Sequence, residues 1–402
     1  MNPPPLVPSP HASHHSPSSQ SSFDVIVLGL GAMGSAAAWA AARRGAKVCA
    51  IEQYGVAHAL GSSHGDVRII RKAYFEHPDY VPLLHEAYTR WRVLEAEAGF
   101  PLQVTSGLLA CGPGGSETIR GLKACYAQHE LPHERLPNAS LRERFPFFSF
   151  PSQHEGFLDP AGGYLFAEKC VEQFVRQAQI LGADIRLNET VREWRADRGQ
   201  VEVVTDTLTV RGGTLVLAGG PWSNEALLRT NLPLQVVRKV QLWYRFPGME
   251  TCVPPEVPAF YFDLPYGAIY GFPVYGPDGM KVACHTGGEP VAGPESVCRE
   301  LRAADEGPLL HFFRDVFPGV TFRRSRYSVC MYTNTPDGNF VLDLHPEQER
   351  VCLAAGFSGH GFKFAPVVGE IMADLALEGK TVHPIDFLRA ERFLGETLKP
   401  GE

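Results

Sequence analysis

The 402-residue sequence contains no long hydrophobic run. No apolar stretch approaches the roughly 18 residues that a membrane-spanning helix needs, so no interaction with a membrane is expected. The sequence also lacks a strong charge of one sign, because 37 Lys and Arg residues stand against 44 Asp and Glu residues and give a formal net charge of −7. Nucleic-acid-binding proteins present a basic face, so this balance argues against a nucleic-acid partner.

Cysteine motifs are absent as well. The nine cysteines are an odd number without C-x-x-C spacing, so they indicate neither a disulfide framework nor a zinc site, and no metal is expected. Free cysteines are typical of a reducing compartment, and we expect a cytoplasmic protein. With 44% hydrophobic and 20% charged residues, the chain has the composition of a globular protein with room for two domains.

The first 22 residues contain no Asp, Glu, Lys or Arg. They are rich in Pro, Ser and His and contain neither the apolar core of a secretory signal nor the arginines of a transit peptide. This composition predicts a disordered tail over residues 1–22.

A glycine-rich loop, Gly29–Gly34, lies between an apolar strand and an alanine-rich helix. The strand is predicted at Phe23–Leu28, and the helix at Ser35–Ala42. In this setting the G-x-G-x-x-G pattern is a dinucleotide-binding fingerprint. The alternative is a tight βαβ turn that binds nothing.

The three glycines of this fingerprint have separate roles. Gly29 makes the turn, Gly31 lets a pyrophosphate approach the backbone, and Gly34 lets helix and strand touch. A second predicted strand, Lys47–Ile51, is followed by Glu52. Its carboxylate lies roughly 20 residues past the glycines, where the acceptor for ribose hydroxyls belongs.

Beyond this unit the predicted elements do not repeat. Ala167–Leu181 has helical spacing, and Thr214–Gly220 is a further buried strand that ends on glycines, where backbone can meet a cofactor. Short strands predicted to form an antiparallel meander lie at 191–194, 201–204 and 208–210.

Two stretches lack the βα rhythm and are rich in proline and aromatic residues. These stretches, 86–159 and 236–324, are predicted to form a second domain. The segments 23–85, 160–235 and 325–393 are predicted to form the nucleotide-binding domain.

Three segments carry a family resemblance. Ser62–Arg71, Cys330–Asp337 and Gly356–Lys363 closely resemble the monomeric sarcosine oxidase family, which includes N-methyltryptophan oxidase and peroxisomal sarcosine or pipecolate oxidase and lies within the D-amino-acid oxidase-like flavoproteins. The likeness extends from Phe23 to about Phe393. It implies an α/β protein with a Rossmann-like FAD-binding domain and a second, mixed-sheet substrate domain, both built from discontinuous segments.

The resemblance also implies how the cofactor is held. FAD would be attached through a thioether from Cys330 to the flavin 8α position, and His64 and Arg68 match the basic residues that such thiolate chemistry needs. The alternative for Cys330 is the role of a buried structural cysteine. The implied cofactor-binding residues are Gly29, Gly31, Gly34, Glu52, Ser63, His64, Arg68, Val191, Gly219, Gly359, Gly361 and Lys363.

Arg71 and Lys363 match the two cations that bind the substrate carboxylate in this family. Tyr270 and Tyr332 match aromatic residues that line the substrate cavity, although core packing is an alternative role for both.

The implied catalytic residues are Lys281, His285 and Arg68. Lys281 matches the lysine that activates dioxygen, because an ammonium in a dry site stabilises the negative charge that develops on oxygen. His285 matches an active-site histidine, with a satisfied structural histidine as the alternative. The implied reaction is the oxidative demethylation of sarcosine or another N-methyl amino acid by a monomeric oxidase with dioxygen as acceptor.

The motifs conflict on the substrate. Ser62–Gly65 and Arg71–Tyr74 look more like the peroxisomal branch, which oxidises cyclic imino acids such as pipecolate, whereas Val237–Val240 and His285–Gly288 look more like the N-methyltryptophan branch. Proline is a further candidate substrate. From other functional classes, a nicotinamide-dependent dehydrogenase and a non-catalytic flavin-binding module stay open as alternatives.

Overall fold

The structure is a computed structural model that describes residues 22–197 and 199–393. Apart from Ser22, the tail predicted at 1–22 lies outside the described residues. The helices are α1 (Ala32–Arg43), α2 (Tyr80–Ala98), α3 (Glu117–His129), α4 (Asn138–Arg144), α5 (Ala167–Ile180), α6 (Glu225–Leu228), α7 (Gly307–Val316) and α8 (Ala365–Glu378). Within the described part of the chain, no helix is both long and apolar enough to cross a membrane.

Twenty strands lie in the described residues. They are β1 (Phe23–Leu28), β2 (Val48–Glu52), β3 (Val67–Ile70), β4 (Gln103–Val104), β5 (Leu108–Pro113), β6 (Glu134–Leu136), β7 (His154–Asp159), β8 (Gly163–Phe166), β9 (Asp184–Leu187), β10 (Val191–Ala196), β11 (Val201–Thr205), β12 (Thr209–Leu217), β13 (Gln235–Arg245), β14 (Ala259–Leu264), β15 (Gly267–Gly271), β16 (Met280–Cys284), β17 (Glu289–Val291), β18 (Arg323–Asn334), β19 (Val341–His345) and β20 (Gln348–Ala355).

The first sheet has the parallel core expected of a nucleotide-binding domain. Strands β9, β2, β1, β12 and β20 lie side by side and parallel, and β10 and β11 extend the sheet as an antiparallel meander. The predicted α/β class and the Rossmann-like sheet are confirmed. Parallel strands of this kind bind ligands beyond their carboxyl ends, so the sheet fixes where a site belongs.

Strand β12 combines two segments that the sequence predicts separately. The third strand of the meander, predicted at 208–210, and the buried strand predicted at 214–220 are joined in one strand that runs from Thr209 to Leu217, and Gly212 and Gly213 lie inside it. A Cβ added at Gly213 would lie 2.9 Å from the carbonyl oxygen of Asp24. The glycines therefore allow neighbouring strands to approach and do not break the strand.

The second sheet is built mainly from the proline- and aromatic-rich stretches. Its order is β17-β13-β16-β15-β14-β5-β7-β6, and the long strand β18 pairs with β13. One face packs on α7 through a core rich in phenylalanine. Strands β3, β8 and β4 form a third, small sheet. The domain boundaries remain a prediction.

Helices α1 and α8 pack against each other in the core beside the first sheet. Their approach depends on Gly369, because a Cβ added there would lie 2.5 Å from the carbonyl oxygen of Ala36. A backbone atom cannot turn away as a side chain can, so one of the two helices would have to shift.

We expect Gly369→Ala to lower the free energy of unfolding by about 1–2 kcal/mol, because overpacking strain exceeds the gain in helix propensity. Gly307→Ala is the control, since a Cβ at this position of α7 meets nothing within 4 Å. Urea unfolding of both variants tests this expectation. Equal stability of the two variants would contradict the packing argument.

Candidate active site

A cavity of about 530 Å³ lies at the carboxyl ends of the parallel strands. Residues at the ends of β1, β2, β12 and β20 form one part of its wall, and residues of β13, β15 and β18 form another. The cavity therefore lies where doubly wound sheets bind nucleotides and where the second sheet can contribute side chains.

Most of the predicted site residues line this cavity. The predicted residues that line it are Gly29, Gly31, Glu52, Ser63, Arg68, Arg71, Val191, Gly219, Tyr270, His285, Tyr332, Gly359, Gly361 and Lys363. The predicted residues behind the wall are Gly34, His64, Lys281 and Cys330.

The first glycine loop turns as the sequence predicts. Gly29 has a left-handed φ of +89°, and a Cβ on Gly34 would lie 1.8 Å from the carbonyl oxygen of Gly29. Gly34 therefore serves close packing behind the wall. Helix α1 begins at Ala32, and its first residues line the cavity with Gly31. A helix N-terminus with glycine approach is a site for a phosphate group.

Glu52 ends β2 as a buried carboxylate. It accepts hydrogen bonds from the backbone N–H groups of Leu30 at 2.7 Å and Tyr54 at 3.0 Å, and His58 Nε2 lies 3.4 Å away. Burial opposes ionisation, but His58 and the backbone donors outweigh it and lower the pKa of Glu52. The carboxylate is therefore an ionised acceptor at neutral pH.

Cys330 lies among basic groups. It is 1% exposed, and its Sγ lies 3.7 Å from Nη2 of Arg68. Burial alone would raise the pKa of this thiol. The neighbouring imidazole of His64 and then the charges of Arg68 and Lys281 outweigh burial and lower the pKa to about 6. A lowered pKa favours the thiolate, which is the nucleophilic form of cysteine.

Three buried polar atoms near Cys330 lack a hydrogen-bond partner within the described residues. They are Nε2 of His64, Oε1 of Gln241 and Oγ1 of Thr333. Gln241 and Thr333 line the cavity, whereas Nδ1 of His64 lies 3.2 Å from the hydroxyl of Ser328. Buried polar atoms are normally paired, so this part of the site fits a cofactor that brings its own donors and acceptors.

Lys281 is fully buried beside this cluster. Its Nζ donates to the carbonyl oxygens of Gly65 at 2.5 Å and Val67 at 2.9 Å. Burial, followed by the charge of Arg68, lowers the pKa of Lys281 well below its ordinary value.

Arg71 and Lys363 converge from distant parts of the chain. They are 6% and 4% exposed and both line the cavity. The Tyr74 ring centroid lies 4.3 Å from Cζ of Arg71 and 4.9 Å from Nζ of Lys363, so both cations contact one ring. Burial, followed by the charge of Arg71, lowers the pKa of Lys363 to about 7.

Glu76 is a site residue that the sequence analysis missed. Both of its carboxylate oxygens lie 2.6 Å from Nη2 of Arg71, while Nη1 of Arg71 donates to the carbonyl oxygen of Ala73. Burial opposes ionisation of Glu76, but the charge of Arg71 dominates and lowers its pKa to about 2. Its position five residues after Arg71 is a local signal, but it becomes meaningful only with the turn after β3.

His285, Tyr270 and Tyr332 form an aromatic corner of the cavity. The His285 ring centroid lies 6.4 Å from that of Tyr270 and 5.8 Å from that of Tyr332. The ring of Tyr261, a residue that the sequence analysis missed, packs against His285 with 5.9 Å between the two ring centroids. Burial dominates the shift in the pKa of His285, which falls to about 3, so its imidazole is neutral at pH 7.

Comparisons with known proteins agree with this geometry. The model of the family described as "FAD dependent oxidoreductase" matches residues 24–375. Monomeric sarcosine oxidase of Bacillus sp. (strain NS-129) is 36% identical over 375 residues, which are 92% of this chain and 97% of that protein. N-methyl-L-tryptophan oxidase of Salmonella enteritidis PT4 is 35% identical over 361 residues, 89% and 95% of the two chains.

Further matches include a eukaryotic protein and a solved structure. Peroxisomal sarcosine oxidase of Homo sapiens is 35% identical over 379 residues, 92% of this chain and 96% of that protein. The solved structure of NikD, an unusual amino acid oxidase essential for nikkomycin biosynthesis, superposes with a TM-score of 0.80 at 29% identity and covers 92% of this chain and 97% of NikD.

We expect Glu76→Gln to lower the free energy of unfolding at pH 7 by roughly 2–3 kcal/mol, because it leaves the Arg71 charge without its partner. The pKa of Glu76 is about 2 in the folded state, below the ordinary value near 4.3. Its contribution is therefore complete above the ordinary value and is lost as the pH falls toward 2. Urea unfolding at pH 6 and pH 3 should show that the free energies of unfolding of the variant and the original protein differ less at pH 3 than at pH 6.

Glu86→Gln is the control for this comparison. Glu86 pairs with Arg90 at 2.6 Å with its side chain 30% exposed, so we expect a loss below about 1 kcal/mol. An effect of Glu76→Gln no larger than this, or a difference that widens at acid pH, would contradict the buried-pair argument.

Proposed function

Because the chain belongs to the FAD-dependent oxidoreductase family, we propose that it is an oxidase of secondary amino acids such as sarcosine and other N-methyl amino acids. Dioxygen and water are consumed, and the products are the demethylated amino acid, formaldehyde and hydrogen peroxide. The observation that carries this proposal is the convergence of two buried cations, Arg71 and Lys363, on the cavity that contains the glycine turns. Paired cations in a desolvated wall fit an amino-acid carboxylate.

The residues of the cavity fit FAD. The N-terminus of α1 with Gly29 and Gly31 would hold the pyrophosphate, and Glu52 would accept the ribose hydroxyls. When bound, FAD would supply the two-electron redox chemistry that links oxidation of the substrate to reduction of dioxygen. The unpaired polar atoms of Gln241 and Thr333 would meet the cofactor on the opposite wall. Covalent attachment through Cys330 is part of this proposal, and its support is the low pKa of that thiol.

The substrate would be held at both ends. Arg71 and Lys363 bind the carboxylate, and a bound carboxylate stabilises the charged form of Lys363. The amine then lies toward His285, Tyr270 and Tyr332. Because His285 is neutral at pH 7, this corner does not repel a cationic amine and does not compete for the carboxylate.

Lys281 would act on the second substrate, dioxygen. Its Nζ is held by the carbonyl oxygens of Gly65 and Val67, and the charge of Arg68 acts on both Lys281 and Cys330 as a second cation. Positive charge fixed in a dry site stabilises the negative charge that develops on oxygen. A monomeric state and a cytoplasmic location are also part of the proposal.

The purified protein should form hydrogen peroxide from secondary amino acids, and Lys363→Met should raise the apparent KM about 30-fold or more, because one charge-assisted contact is lost in a desolvated site. A peroxide assay with sarcosine, N-methyltryptophan, pipecolate and proline measures both effects and ranks the candidate substrates. Glycine serves as the primary-amine comparison.

Lys72→Met is the matched control. Lys72 follows Arg71, but its ammonium lies 5.1 Å from the Tyr88 ring centroid and takes no part in the cavity wall. We expect its KM to stay within about twofold of the original value. Absence of peroxide with every secondary amino acid would refute the proposed function, and equal KM changes in both variants would refute the carboxylate clamp.

The flavin should stay with the polypeptide after acid precipitation, because a thioether survives unfolding. In Cys330→Ala the yellow colour should move to the supernatant. Cys352→Ala is the control, since Cys352 is equally buried but its burial raises the thiol pKa to about 12. Release of flavin from the original protein would rule out the covalent link.

A further inference from the structure

We propose that Lys239 is a positioning residue that fixes loop 285–288 on the cavity wall, an inference that rests on the proposed function only where it concerns substrate. The loop follows β16 and begins with His285, which lines the cavity. Lys239 lies on β13, directly opposite Cys330 of β18.

The ammonium of Lys239 binds three consecutive backbone carbonyls. Its Nζ donates to the carbonyl oxygens of His285 at 2.9 Å, Thr286 at 2.8 Å and Gly287 at 3.0 Å. An ammonium has three N–H donors, so these contacts use all of them. The residue is 5% exposed, which makes it an internal tether and not a surface charge.

The loop is shaped to this side chain. Gly287 and Gly288 have left-handed φ values of +62° and +110°, which side chains rarely allow. A Cβ added at Gly288 would lie 2.6 Å from Cγ1 of Val237, 2.9 Å from the carbonyl oxygen of Arg238 and 2.9 Å from Cδ of Lys239, so the loop lies tightly against this part of β13. The two glycines therefore let the backbone wrap closely around the lysine.

The same ammonium reaches two residues of the cavity. It binds the carbonyl of His285 and lies 5.1 Å from the ring centroid of Tyr332, whose hydroxyl is 3.5 Å from Nδ1 of His285. Without it, the exposed carbonyls of Thr286 and Gly287 could bind water instead, so the loop would loosen while the rest of the fold persists. Lys239 thus acts on substrate through His285 and Tyr332.

The contact also explains why two segments stand out together in the sequence. Val237–Val240 and His285–Gly288 are the segments that resemble the N-methyltryptophan branch, and the structure joins them through Lys239. They form one unit at the wall that faces the substrate amine.

The test measures hydrogen–deuterium exchange of peptides covering 286–291 and compares the original enzyme, as purified, with its variants. In Lys239→Met we expect exchange at least about tenfold faster, because loop opening costs less. The KM for the best secondary amino acid should rise about fivefold or more with kcat within about twofold, since a smaller share of the enzyme holds the binding-competent loop.

Arg238→Met is the matched control. Arg238 is the next residue on β13 and, on the opposite face, donates to the carbonyls of Cys298 and Glu300 and pairs with Asp305 at 2.7 Å. Arg238 Nη1 also lies 4.0 Å from the Glu289 carboxylate, but Arg302 Nη1 is the nearer partner at 2.6 Å and is left in place by this substitution. We expect unchanged exchange at 286–291.

Gly288→Ala is a second way to disturb loop 285–288, because the added Cβ displaces the loop while Lys239 remains in place. It should speed exchange at 286–291 in the same way. Unchanged exchange in Lys239→Met, or equal changes in Lys239→Met and Arg238→Met, would overturn the positioning role. If the original enzyme oxidises no secondary amino acid, the proposed function fails, while the exchange comparison still decides the role of Lys239.

Discussion

Backbone carbonyl oxygens hold the buried cations on which the site depends. Burying a charge without a partner is expensive, and a carbonyl dipole offsets part of that cost without cancelling the charge. The side chains held in this way are Arg68 by Val67, Lys239 by His285, Lys281 by Gly65 and Lys363 by His360, whereas Arg71 donates to Ala73 and also pairs with the ionised Glu76. The site is therefore rich in buried basic side chains.

These basic side chains link features that are distant in the sequence. His64, followed by Arg68 and Lys281, lowers the pKa of the Cys330 thiol despite its burial, and Arg71 and Lys363 make their part of the wall suitable for a carboxylate. Glu76 is the contrasting case, because it gives Arg71 an ionised partner. The cavity thus combines a cationic wall with a neutral aromatic corner at His285, a division that suits a ligand with an acidic end and an apolar or weakly basic end.

Local patterns predicted the nucleotide-binding part well. The turn at Gly29–Gly34 depends on residues adjacent in sequence, so strand, turn and helix could be read directly, and the family resemblance brought Arg71 and Lys363 to one cavity. Lys239 and Glu76 could not be found in this way. Their partners depend on the pairing of β13 with its neighbours and on the turn after β3, which no local pattern specifies. For the same reason, the sequence did not predict that β12 continues through its two glycines as one strand.

The environment of Lys363 also couples ligand binding to protons. Because burial and the charge of Arg71 lower the pKa of Lys363 to about 7, this side chain titrates near neutral pH when no ligand is bound. A carboxylate that binds beside it favours the ammonium, so complex formation draws a fraction of a proton from solution. The heat measured for such binding then contains the ionisation enthalpy of the buffer, and two buffers at one pH would report different enthalpies for the same complex.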